Sequence, residues 1–179
     1  QRRKSIKENN MPTYKDYSIF GFDLSQNQDN KDTAYKPDVL KAKEVVKADF
    51  AGVRIGYGVV PDRMFDYFWK RTREVGLERL PYFYLDYYSY KWMSISRAEW
   101  GKRQAAYARA LLQKDPGEIP IHLDIEPSTY GGPINWFTAP GVMETAAAFK
   151  HEYESLSGGK MSLYINPGLL PYFTDEFKD

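Results

Sequence analysis

Five short stretches of the chain alternate apolar and polar residues with period two, and longer stretches between them repeat apolar residues at helical spacing. Residues 19–25 (IFGFDLS) set Phe20, Phe22 and Leu24 against Gly21, Asp23 and Ser25. Residues 52–58 (GVRIGYG) set Val53, Ile55 and Tyr57 against Arg54, Gly56 and Gly58. In residues 80–86 (LPYFYLD), Tyr82, Tyr84 and Asp86 oppose Phe83 and Leu85. Residues 121–126 (IHLDIE) are bracketed by Pro120 and Pro127, which a sheet interior rejects because proline lacks an amide donor. There Ile121, Leu123 and Ile125 oppose His122, Asp124 and Glu126. Residues 160–166 (KMSLYIN) set Met161, Leu163 and Ile165 against Ser162, Tyr164 and Asn166.

Helical spacing predicts helices over residues 37–49, with Pro37 in the first turn, and 63–75, with Asp62 as N-cap and Gly76 as the stop. A third runs from the capping pair Ser96 and Glu99 to about Lys114, and a fourth spans 140–156. The final TDEFKD reads as the start of a fifth. Trp136 and Phe137 offer either a sugar platform or a staple for the fourth helix, and stapling is the expectation. Residues 1–18 carry clustered charge without apolar periodicity and read as a linker or N-terminal arm, a solvated tether more than a binding tail.

Strands alternate with helices and hairpin signals are absent, which predicts parallel strands with crossover helices. A buried parallel sheet is apolar on both faces. Here one face is polar throughout, so it needs water or a ligand. Stacking the polar faces brings Asp23, Arg54, Tyr84, Asp86, Asp124, Glu126, Tyr164 and Asn166 around one cleft. Asp124 and Glu126, two apart on one strand, have Cα atoms about 6.5 Å apart. They sit at the C-terminal end, where barrels of this class place their chemistry. Two adjacent carboxyl groups suit general acid/base work, although a D-x-E triplet also occurs on solvated edges. Arg54 serves equally as a substrate contact or as an ion pair to Asp23 or Asp86. Tyr164 and Asn166 have a plainer role open to them, satisfying loop backbone groups. His122 is expected low in the barrel, hydrogen-bonded and outside the chemistry.

Composition narrows the function. The 179 residues suit one domain, and 42% are apolar, enough for a packed core. With 25 basic and 24 acidic residues the net charge is +1, which argues against nucleic-acid binding through a basic field. No apolar run reaches the roughly 18 residues of a membrane span, and there is no signal-peptide core. The absence of cysteine removes disulfides and thiolate metal sites. His122 and His151 lack ligand spacing, so neither metal nor cofactor is expected. The surplus is aromatic: 15 Tyr, 10 Phe and 4 Trp. Flat rings with polar tips suit pyranose stacking, so the surplus favours a wet, aromatic-lined groove.

These motifs together resemble the glycoside hydrolase family 25 muramidases. GFDLSQNQ is similar to that family's opening strand, GVRIGYGVVPDRMF to its second strand and following helix, and LPYFYLDYYS to its aromatic third strand. IPIHLDIEPS resembles its D-x-E strand, and GGKMSLYINPGLLPYF its Gly-rich turn and fifth strand. The likeness runs from Phe20 to about Phe173. It implies a TIM-like, flattened (β/α) barrel over residues 19–179, of which five β/α units are visible and the last strands are missing: either the polypeptide is a fragment, or further modules or chains complete the sheet. It implies an enzyme cleaving the β-1,4 bond between N-acetylmuramic acid and N-acetylglucosamine in peptidoglycan, outside the cell as a secreted protein, phage lysin or virion part. Glu126 would be the general acid, Asp124 a base or an orienter of the acetamido group, and Asp23 a third carboxyl lining the pocket. The i, i+2 spacing lies nearer the wide carboxylate separation of inverting glycosidases, while an N-acetyl substrate can also supply its own nucleophile. The resemblance leaves open whether the family's third-strand tyrosine falls at Phe83 or Tyr84; alternation favours Tyr84. The competing readings are a non-catalytic glycan-binding or structural module of a larger assembly, such as a phage virion, and a barrel glycosidase for another polysaccharide.

Overall fold

The computed structural model describes residues 19–29, 36–129 and 131–173. The arm at 1–18 and the helix expected from residue 174 lie outside the described residues. The elements, in order, are β1 (Gly21–Leu24), α1 (Val39–Val46), β2 (Phe50–Tyr57), β3 (Val60–Pro61), α2 (Phe65–Glu74), β4 (Glu78–Tyr84), α3 (Tyr90–Met93), α4 (Arg97–Leu111), β5 (His122–Ile125), α5 (Ala139–Ser157) and β6 (Ser162–Ile165). The main sheet runs β1-β2-β4-β5-β6, with every neighbouring pair parallel. It curls as half of a (β/α) barrel, the α/β class expected from the alternation of elements.

The apolar stripe of each strand meets the helices. Val53 and Ile55 of β2, Phe83 of β4 with Leu85 just beyond it, and Leu123 and Ile125 of β5 are fully buried, in one cluster with Phe68 of α2, Ala105 and Ala108 of α4 and Phe149 of α5. Phe83 and Phe149 pack with ring centroids 5.3 Å apart. Burying each valine, leucine, isoleucine or phenylalanine side chain stabilises the fold by roughly 1.5–3 kcal/mol. Phe83 therefore belongs to the core and Tyr84 to the other face.

Helix α4 lies against α5 at Gly101. A Cβ there would meet Ala148 Cβ at 2.9 Å and the Phe149 amide nitrogen at 3.0 Å, and would press on the Thr145 carbonyl. Alanine is worth about 1 kcal/mol more than glycine inside a helix. Overpacking against an immobile backbone costs about 1–3 kcal/mol and outweighs that gain. Gly101→Ala is expected to lower the urea midpoint; an unchanged or raised midpoint would show that the helices can separate.

At the start of β4, Arg79 is 2% exposed and bonds Asp115 and Glu118, each at 2.6 Å, while its carbonyl accepts the amides of Glu118 and Ile119. This pairing drives both carboxyl groups below their ordinary pKa and Arg79 above its own. It anchors the segment leading into β5 and so helps set the depth at which Asp124 enters the sheet.

Three expectations change. A two-residue antiparallel strand, β3, folds back on β2 through Gly58, whose φ is 58°. The two-residue loop Gly58–Val59 carries no Asn-Gly or Asp-Gly pair, only a glycine at its first position. The short α3 was not foreseen because four residues show no period. Trp136 and Phe137 do not staple α5. Trp136 is 70% exposed and sits edge-on to Tyr172, and Phe137 is 95% exposed. The turn before α5 is closed instead by polar bonds, Asn135 N–H to Thr138 Oγ1 and Phe137 N–H to Asn135 Oδ1, both at 2.9 Å.

Candidate active site

The polar face of the sheet encloses a cleft of about 540 Å³. Asp23, Arg54, Tyr84, Asp124, Glu126 and Tyr164, each from its own predicted strand position, line it together. Tyr82 and His122 lie on the same faces and join them, as do Phe22, Ser25, Asn27 and Gln28 around the end of β1. Register explains the meeting: Asp23 pairs with Gly52, Tyr84 with Asp124, and Asp124 with Tyr164. Gly52 adds no side chain across from Asp23 and Tyr82, so the cleft stays open there.

Asp124 is 8% exposed, and its Oδ1 is enclosed without a hydrogen-bond partner among the described residues. Burial, then the negative charges of Glu126 and Asp23, push its pKa up to about 7, with the Arg54 cation opposing. The same burial raises the Tyr82 and Tyr84 phenols and lowers His122. Glu126 sits one step nearer the rim and is only half-buried. The pair thus joins an enclosed carboxyl that holds its proton towards neutral pH to a second carboxyl that an incoming molecule can touch.

Arg54 is held by neither Asp23 nor Asp86. Its Nε donates to Asp62 Oδ2 at 2.7 Å. Asp62, 3% exposed, also accepts the amides of Gln26 at 3.0 Å and Met64 at 2.9 Å. One buried carboxylate thereby fixes the turn after β1, the approach to α2 and the cleft arginine. An N-cap was the sequence expectation for Asp62; its side chain does meet the Met64 amide, but α2 begins at Phe65. His122 stands low in the cleft with Nδ1 against Ser162 Oγ.

Two members of the expected constellation stand elsewhere. Asp86 lies past the end of β4 and outside the cleft, because alternation holds only while the backbone stays extended. Its Oδ1 accepts the amides of Tyr88 and Ser89 at 3.0 Å, and its backbone is held by the buried Gln104 side chain of α4 at 2.9 and 2.8 Å. Asn166, past β6, accepts the Gly168 amide at 2.9 Å and caps the 3-10 turn Pro167–Tyr172. Its backbone-satisfying role is therefore the one it takes.

No family model and no curated protein sequence matches the chain. Solved structures do match. The muramidase from Trichobolus zukalii is 20% identical with a TM-score of 0.61, over 83% of this chain and 65% of that one. The family GH25 lysozyme from Aspergillus fumigatus is 21% identical with a TM-score of 0.60, over 80% and 63%. This chain has the fold of the family-25 muramidases. A third structure, the modular autolysin LytC from Streptococcus pneumoniae, is 17% identical with a TM-score of 0.66, over 84% of this chain and 33% of that one. The chain thus spans a little under two thirds of the length of the first two. In this family-25 fold the carboxyl cleft occupies the concave face, with Glu126 at the C-terminal rim of the strands.

Proposed function

We propose that the protein is a peptidoglycan hydrolase of the muramidase type, cleaving the β-1,4 bond between N-acetylmuramic acid and N-acetylglucosamine. The observation that carries this is the convergence of Asp23, Asp124 and Glu126 in one tyrosine-lined cleft of a family-25 fold. Glycoside hydrolysis needs a carboxylic acid to protonate the leaving oxygen and a second carboxyl group to handle the developing charge. Glu126 takes the first role because it is the accessible member of the pair. Asp124 takes the second, as orienter of the acetamido group while burial keeps it protonated, or as base once it has released that proton. Asp23 adds negative charge to the same space. Arg54, Tyr84 and Tyr164 bind substrate along the walls. Such a protein acts outside the cell, secreted or carried by a phage.

A second reading is a glycan-binding or structural module of a larger assembly. It is favoured by the β6 edge, which no described strand pairs, so further modules or chains would complete the half-barrel. The test is incubation of the folded chain with purified peptidoglycan. Falling turbidity, new reducing ends and muropeptides ending in N-acetylmuramic acid are expected. Binding without new reducing ends would support the module and sink the enzyme.

A further inference from the structure

A second recess of about 280 Å³ opens on the same rim, past the C-terminal ends of β2 and β4. It shares no lining residue with the carboxyl cleft. Its lining is aromatic, with Tyr57, Tyr88, Trp92 and Trp100, and Asp86 is its one charged residue. Tyr88 and Trp92 stand with ring centroids 5.7 Å apart and planes at 81°, two walls of a corner. Trp92 is 72% exposed, so that corner faces solvent.

Asp86 is 6% exposed. Its Oδ1 is occupied by the two amides of the α3 turn. Its Oδ2 lies beside Gly58, where a Cβ would stand 3.3 Å from that oxygen and 3.4 Å from Trp100 Cζ2. Glycine therefore keeps both lining the recess. Among the described residues no cation pairs with Asp86 and none donates to Oδ2. A buried carboxylate without a counter-charge is costly, and aromatic faces attract cations through their quadrupoles. Both features favour the same occupant.

We propose that this recess binds an organic ammonium group, with Asp86 as counter-charge and Tyr88 and Trp92 as aromatic walls. The ammonium arises either from a lysine-like primary amine or from a quaternary headgroup. Two-dimensional NMR titration of the tryptophan indole N–H signals, with tetramethylammonium, n-butylammonium and the neutral n-butanol as probes, tests this. At least one ammonium should bind roughly fivefold or more tightly than the alcohol, and the tighter of the two names the source. Asp86→Asn retains an acceptor for the Tyr88 and Ser89 amides, and Trp92→Ala alters an exposed ring, so both variants should fold. Each should weaken the ammonium by roughly fivefold. Equal binding of alcohol and ammonium, no binding of either ammonium, or unchanged isotherms in both variants would overturn the proposal. None of these outcomes bears on hydrolysis in the cleft.

Discussion

Glu126→Gln is expected to reduce peptidoglycan hydrolysis by roughly a thousandfold, the middle of the range for losing a general acid, while the melting curve stays in place. Glutamine keeps the length and shape of the side chain and removes only the transferable proton. Glu126 is half-buried at the rim, so the amide faces no severe desolvation. It bears no ion pair among the described residues, so little folding energy is at stake. The measurement is release of reducing ends from purified peptidoglycan by wild type and variant at equal concentration. Activity within tenfold of wild type would remove Glu126 as the acid and turn attention to Asp124.

The pH dependence of stability is expected to carry the mark of Asp124. An unperturbed aspartate titrates at 3.8, whereas Asp124 in the fold titrates at about 7. Between those values the folded state keeps a proton that the unfolded state has released. Stability therefore falls as pH rises through that window, and the stabilising contribution is fully present only below the lower value. About three pH units correspond to about 4 kcal/mol, an upper bound for a group coupled to Glu126. Asp124→Asn cannot ionise and should lose the slope: near parity with wild type at pH 4, and a gain of up to about 4 kcal/mol at pH 8. Urea unfolding of both proteins at three pH values reads this directly. Parallel profiles would show that Asp124 is not held protonated. The same variant is expected to lose hydrolytic activity, an instance of a site group retained at a cost in stability.

Much of this arrangement is legible along the chain because strand periodicity is a local property. Once β2, β4, β5 and β6 are recognised, Arg54, Tyr84, Asp124, Glu126 and Tyr164 follow on one face, and the aliphatic stripe follows on the other. Tyr82 and His122 carried the same signal and join the cleft. The errors fall where periodicity stops. Asp86 and Asn166 lie one or two residues past a strand end, where the backbone turns and their side chains cap it. Asp62, 36 residues from Gln26, had no local signal for the bonds it makes across the structure.

By itself the sequence determined the order of strands and helices, the parallel sheet with one polar face and the carboxyl residues that face it, since these depend on spacing and on the hydrophobic effect acting on each element. Only the tertiary structure decided the electrostatics. Whether Asp124 or Glu126 is enclosed, which acid holds Arg54, and whether Trp136 is buried or exposed depend on what packs from distant segments. The raised pKa of Asp124 comes first from burial among neighbouring strands, a property of the assembled sheet, then from the Glu126 charge two residues along and the Asp23 charge on β1, with Arg54 on β2 opposing.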